Sequence, residues 1–482
     1  MKRTTSWLIT IIFAVTVRAG GSDSPSTLAL VHATIVDVRT GHLLADQTVI
    51  IIGDRIRSIS RKATIPANAQ VVNCAGQFII PGLWDMHAHA LWSTDQIKRM
   101  FNLFLANGIT GIRDMGSPLP VSETLSWRSR SADGSILAPR IVAAGKLVDG
   151  PQPVWQGSVA VGSPDQAREA VEALHKQGVD FIKVYSRLPR EEYFGVAAEA
   201  KKEGIPYVGH VPMYVSAREA SVAGQRSIEH LSEESFACSS KEAELRRQLV
   251  ATAPGAERDQ VRKQQMKVIV DTFSRPKATA LAQLFAKNNT WQVPTLLVQY
   301  TYAYVDPFQL VDSTGMRYVP PATVKGWSER LGGYRRIRDA SDMEAQKRSY
   351  ELESDIVRLM RRNGVHFMVG TDAETFYPAG FGLHKELSLF VSVGFSTLEA
   401  LQAATLNPAI FLGEEKDTGT IEPGKTADLV ILDANPLEYI GNTERIAGVL
   451  VSGRYLDRSR LNHLLLEAER IASGKQEHST KN

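Results

Sequence analysis

The stretch Leu83-Trp84-Asp85-Met86-His87-Ala88-His89 decides how the rest of the chain is read. It is short and mostly apolar. Side chains of an extended strand repeat every second residue on one face, so His87 and His89 project together. Two imidazoles on one face can grip a single ion. A lone His-x-His on a surface strand binds nothing tightly, so the meaning of the pair depends on the chain downstream of it.

Downstream the sequence runs through a series of apolar strands, each trailed by a longer amphipathic stretch. The expected strands are Leu83 to His89, Gly111 to Met115, Arg140 to Ala144, Phe181 to Tyr185, Tyr207 to Val211, Ser227 to Leu231, Gln292 to Leu296 and Val365 to Asp372. This alternation marks repeated βα units and a parallel sheet, and eight of them predict an α/β fold of the (β/α)8 TIM-barrel type. Chemistry in that fold gathers at the C-terminal ends of the strands. His87, His89, Lys183, His210, His230 and Asp372 all stand at or near such ends. His32, His42, His175, His366, His463 and His478 do not, and His366 opens the last strand at its opposite end.

Each candidate also has a plainer reading. An unpaired ammonium at Lys183, inside a barrel, would carry a desolvation penalty of several kcal/mol. Either it snorkels to a carboxylate, or burial lowers its pKa and the neutral amine takes up carbon dioxide as a carbamate able to bridge two metal ions. His210 and His230, taken singly, read as hydrogen-bonded core histidines. Asp372 reads as a helix N-cap, or as a metal ligand that also accepts a proton from water. Tyr185 shares the face of Lys183 and could donate to a substrate oxygen or merely pack in the barrel. His384 and Lys385, after the last strand, could hold an anionic group or simply begin a polar helix.

Outside the barrel, residues Leu28 to Ile65 alternate apolar and polar with turns at Thr40-Gly41 and Gly53-Asp54, and the same texture returns from Gly419 to Gly453. Residues 20–80 and 416–460 therefore predict a small β-sandwich domain built from both chain ends, around a barrel of residues 81–415. A C-terminal helix and tail are expected over 461–482. The charged segments Glu234 to Ala286 and Gly326 to Asn363 predict helices covering the barrel.

A chain of 482 residues exceeds one minimal barrel of roughly 250. Its 55 Lys and Arg against 52 Asp and Glu, a net charge of +3 without long blocks, leave no electrostatic footprint for nucleic acid. Cys74 and Cys238 form no disulfide framework or metal spacing and read as buried small residues, with pairing as the alternative. Met1-Lys2-Arg3, the apolar run Trp7 to Val17 and the small residues before Gly20 predict a signal peptide over 1–19, too short to span a bilayer core of roughly 30 Å. A secreted or periplasmic protein is expected, with no stable membrane insertion once the signal is removed.

The chain resembles the amidohydrolase superfamily, and within it the imidazolonepropionase-related prolidase branch that includes Xaa-Pro and Xaa-Arg/Lys dipeptidases. The resemblance rests on Pro81 to His89, Phe181 to Tyr185, Gly209-His210-Val211, Ile228-Glu229-His230 and Gly370-Thr371-Asp372. Leu383 to Leu387, Ala403 to Ala409 and Gly419 to Val430 extend it over nearly all of the mature chain. It implies His87, His89 and Asp372 on one divalent ion, His210 and His230 on a second, and carboxylated Lys183 bridging both. Zinc suits these ligands, and manganese, cobalt or iron would also fit. The implied reaction is hydrolysis of the amide bond of a dipeptide or N-acyl amino acid, with Asp372 carrying the proton to the leaving nitrogen. A lactonase or organophosphate esterase is the alternative on the same site, and a non-catalytic binding protein is disfavoured by the complete ligand set. The superfamily often assembles, so a homo-oligomer is expected.

Overall fold

The computed structural model describes residues 26–252, 256–306 and 315–474. The segment read as a signal peptide lies outside them. The chain is α/β, and its strands fall into three sheets.

The chain ends build the first sheet. β1 (Thr27–Val36), β2 (Leu43–Ile52), β3 (Arg55–Ser60), β4 (Gln70–Asn73) and β5 (Phe78–Pro81) come from the N-terminal side. Much later strands complete it, and the hydrogen-bonded path reaches from the last strand of the chain through β5, β1 and β2 to β3. The expected sandwich is thus one continuous eight-stranded sheet. It curls far enough for Arg55, on its far edge, to bridge Thr426. Leu30, Ile35, Val49, Ile51 and Ile79 fill its core together with Leu429, Ile431 and Leu450. Fully burying each such side chain contributes about 1.5–3 kcal/mol.

The middle of the chain supplies the parallel strands. β6 (Leu83–Ala88), β7 (Ile109–Asp114) and β8 (Arg140–Ala143) form one set. The second set runs in the order β10 (Val159–Ala160), β9 (Leu147–Asp149), β11 (Ile182–Val184), β12 (Tyr207–Gly209), β13 (Ser227–Glu229) and β14 (Trp291–Val293). β9 and β10 were not expected, being too short for their periodicity to show. The expected strand Val365 to Asp372 is not a regular strand. It makes one isolated parallel bridge to β14, Gln292 to Phe367, and one to β6, Ala88 to Ala373. Around these bridges the Met86 N–H donates to the Val369 carbonyl at 2.9 Å and the Asp372 N–H to the His87 carbonyl at 2.8 Å.

β15 (Leu429–Leu432), β16 (Ile446–Val451) and β17 (Arg454–Asp457) then return to the first sheet, β15 pairing antiparallel with β5. The helices Arg275–Asn288, Pro321–Arg336 and Ala340–Arg362 occupy the charged segments read as helical. The last begins with a capping box between Asp339 and Asp342, which satisfies amides left open at a helix start. Among the described residues no helix is long and apolar enough to cross a membrane. Cys74 and Cys238 are both buried and free, each in a different apolar cluster.

Candidate metal centre

The strand ends bring the predicted ligands together. One ligand atom each from His87, His230 and Asp372 lies within 4.8 Å of the others, a spacing that one cation can span. His89 Nε2 stands 3.4 Å and His87 Nε2 3.5 Å from Asp372 Oδ1. The His210 ring packs against the His230 ring at 4.8 Å between centroids, and His230 against His87 at 4.4 Å. Lys183 completes the set from β11, its Nζ fully buried with no hydrogen-bond partner among the described residues.

Local backbone explains why the groups converge. Gly209 takes φ +128°, and a Cβ there would meet the Val184 carbonyl at 2.3 Å, so glycine alone lets β12 hug β11 just before His210. Gly370 has the same function opposite β6, where a Cβ would stand 2.7 Å from that of His87. His230, Thr295 and Asp372 adopt φ of +61°, +46° and +57°, which L-residues with side chains rarely do. Strain of about 1–3 kcal/mol at each is kept only where the surroundings over-determine it, as at a functional site.

All four imidazoles are held from behind through Nδ1. His89 Nδ1–H donates to the Gly116 carbonyl at 3.1 Å, and His87 Nδ1–H donates to Glu229 Oε2 at 2.9 Å. His210 Nδ1 pairs with Ser186 Oγ and His230 Nδ1 with Thr295 Oγ1, both at 2.7 Å. Nε2 of each ring is therefore left for a ligand, and such partners fix ring orientation. Glu229 is itself clasped by fully buried Arg113, whose Nη2 reaches both carboxylate oxygens at 2.9 and 3.0 Å, and by the Ser227 hydroxyl at 2.6 Å. Asp85 ties β6 to the last segment by accepting from the His87 and Thr371 amides and the Thr371 hydroxyl.

The electrostatics suit cation binding. Burial, reinforced by the Lys183 charge, holds His87 and His210 well below the ordinary histidine value, and burial brings His230 down to about 4. Neutral imidazole is the ligand form. Burial opposes charge on Asp372, but the His89 hydrogen bond and the surrounding histidines outweigh it and keep the carboxyl well below its usual range. Burial likewise brings Lys183 down to about 8, with Glu229 pulling upward and Arg113 downward.

The structure decides between several paired readings. Lys183 does not snorkel, and Asp372 caps no helix, since the next one begins at Phe381. Tyr185 lines a cavity of ≈ 590 Å³ that opens on His89, His210, His230 and Asp372, and its hydroxyl oxygen accepts from Trp155 Nε1 at 2.8 Å. His384 is a correction. It is buried on the helix Phe381–Ser392 with Nδ1 engaged by Thr443 Oγ1 and Nε2 by the Asn107 carbonyl, so both ring nitrogens are committed away from the cavity. Lys385 is exposed and lies over the Tyr300 ring, also outside the cavity lining. His366 stacks on Trp291 at the start of β14, as its position in the last segment implied.

Reasoning from sequence missed the supports: Glu229, Arg113, Ser186 and Thr295. Only Glu229 left a signal, as a carboxylate inside an apolar strand. Glu229→Gln is expected to weaken metal affinity about 10–100-fold, read by competition with a chelator. It also leaves Arg113 without its buried counter-charge, at a cost of about 3–5 kcal/mol in stability. A folded variant with unaltered metal affinity would detach Glu229 from the centre.

Residues 78–456 match the Amidohydrolase family. An imidazolonepropionase of Picrophilus torridus is 33% identical over 124 residues, a match spanning 24% of this chain and 31% of that relative's length. The structure of a candidate prolidase from Bifidobacterium longum is 26% identical, covering 92% of this chain and 99% of that one at a TM-score of 0.66. That of a bottromycin amidohydrolase is 24% identical, covering 94% and 92% at a TM-score of 0.73.

Proposed function

Because the chain belongs to the amidohydrolase family, on its prolidase-like branch, we propose that it hydrolyses the amide bond of dipeptides or N-acyl amino acids with two divalent ions. The observation that carries this reading is the convergence of four Nδ1-tethered histidines and Asp372 on a buried lysine amine that has no hydrogen-bond partner among the described residues. An orphaned amine close to His87, His210 and His230, which burial keeps neutral, makes no sense in a core built for stability alone, because an unsatisfied buried group of this kind is costly. The residues fit the ions: His87, His89 and Asp372 would hold one, His210 and His230 the other. Lys183, as a carbamate formed with carbon dioxide, would touch both. Zinc best matches this mixture of imidazole and carboxylate donors. The same reading takes the parallel strands as a closed (β/α)8 barrel, supported by the bridges from 366–373 to both β14 and β6.

Bound divalent ions would supply Lewis-acid polarisation of the scissile carbonyl and acidify a water. The chain's own residues do the rest. Asp372, at the cavity floor, accepts the proton on a carboxylate oxygen and returns it to the leaving nitrogen. Tyr185 accepts from Trp155, so its own O–H points elsewhere and is available to a substrate oxygen. Trp92 and Trp155, edge to face at 5.9 Å in the lining, present apolar surface to the substrate and displace water from the reacting centre.

Metal analysis of the purified protein, coupled to hydrolysis of a dipeptide and N-acyl amino acid library, tests the proposal. About two ions per chain are expected, with cleavage of an amide class. Faster opening of lactones or phosphotriesters than of any amide would replace this reading by the esterase one.

A further inference from the structure

The charges lining the cavity are matched with one exception. Arg99 clasps Glu374 through two bonds of 2.7 and 2.6 Å, with both side chains buried. Asp95 stands in the first turn of the helix Thr94–Ala106, where a carboxylate meets the open amides. Arg330, on the helix Pro321–Arg336, also lines the cavity, and no carboxylate among the described residues pairs with it. Its guanidinium lies over two rings, Tyr302 at 5.8 Å and Phe376 at 5.4 Å. Phe376 is fully buried, so that support is fixed. Aromatic faces and the Tyr302 hydroxyl, which hydrogen-bonds the guanidinium, restrain it without neutralising it, and leave its charge and remaining N–H groups for a planar anion. Arg330 shares the cavity lining with Tyr185, His210, His230 and Asp372.

An arginine exposed to solvent is ordinarily just solvated, and a surface ion pair adds little. Here a substrate filling the cavity would cover the guanidinium and exclude water, which is where a two-pronged arginine–carboxylate pair becomes strong. We propose that Arg330 binds the free carboxylate of the substrate and makes the enzyme selective for amides of amino acids that end in an acid. The inference rests on the amide-hydrolase reading and names its substrate class. Arg330 is a specificity residue in this scheme, outside the metal ligands.

The test compares N-acetylphenylalanine with N-acetylphenylalaninamide, which share the scissile acetyl bond and differ only in the carboxylate. Wild-type enzyme is expected to prefer the acid in kcat/KM by about tenfold or more. Arg330→Met should raise KM for the acid by about the same factor, with kcat little changed, and leave the amide unaffected. Arg330→Lys should recover part of the loss, because it restores charge without the fork. Equal treatment of acid and amide by wild type, or an unmoved KM in Arg330→Met, overturns the proposal while hydrolysis itself stands. Calorimetric titration of the metal-loaded protein with 3-phenylpropanoate and its amide reads the carboxylate contact without turnover. Binding of the acid that is lost in Arg330→Met supports the contact even if no amide is cleaved, and binding that survives overturns it.

Discussion

Replacing Lys183 by alanine is expected to yield a folded protein that retains markedly less metal and almost no hydrolytic activity, with both partly restored by formate, acetate or propionate. The expectation rests on the position of Nζ: fully buried on β11, without a hydrogen-bond partner among the described residues, 5.9 Å from the centroid of the Tyr185 ring. Removing it leaves no unpaired group behind, so the fold survives, whereas loss of the proposed bridging ligand should exceed the 10–100-fold in affinity typical of mere outer partners. A short carboxylic acid carries the two oxygens that a carbamate would present, and fits the space vacated by the side chain. Burial brings the amine to about 8, so roughly a tenth is neutral at pH 7, against a few parts in ten thousand for an ordinary lysine near 10.4. Only the neutral amine adds carbon dioxide, losing a proton as the N–C bond forms. Reconstitution of metal-free wild type should therefore rise from pH 6 to pH 8 and with added bicarbonate. Metal content by elemental analysis and the rescue curve check this, and a Lys183→Ala protein with wild-type metal would remove the carbamate from the site.

Asp372→Asn is expected to cut kcat by about 10²–10⁴ while KM stays within a few-fold. Asparagine keeps the shape and one oxygen able to ligate, but it cannot take a proton. The carboxylate of Asp372 is held charged chiefly by its hydrogen bond with His89, against the burial that opposes charge. It is therefore ready as an acceptor across the neutral range, and the acidic limb of the wild-type pH profile should be absent or displaced in the variant. Steady-state kinetics at matched metal content measure this. Undiminished turnover would take Asp372 out of the chemistry and leave it a ligand alone.

The convergence of the candidate ligands was legible because the constraint on them is local. A residue that closes an apolar strand has few places to point, and His87, His89, Lys183, His210, His230 and Asp372 each satisfied that rule before their neighbours were known. The eighth strand failed the same kind of reading for a local reason. Its residues form a short apolar run, but the Thr371 amide is taken by the Asp85 side chain at 3.0 Å rather than by a backbone carbonyl, so the ladder is interrupted. His384 misled because a polar residue after the last strand looks available. Tertiary packing buried it between the Asn107 carbonyl and Thr443, partners on distant segments. Arg330 and Trp155 left no trace at all. Nothing in Pro321–Arg336 distinguishes a cavity-lining arginine from a solvated one, and only the folded loops bring Trp155 onto Tyr185.

The pairing of β5 with β15, which sets Ile80 opposite Val430, bears on how the molecule is made. During synthesis β5 emerges early, yet one of its edges stays open until nearly the whole stretch from β6 to β14 and the helices after it has left the ribosome. Joining such distant segments carries a large loop-closure entropy, and long-range pairing of this kind is slow. An unpaired edge invites other strands meanwhile. A chain that stops before Leu429 would thus be more than a shortened enzyme: it would carry Ile79 and Ile80 with no partner strand, and aggregation rather than inactivity would be its first symptom.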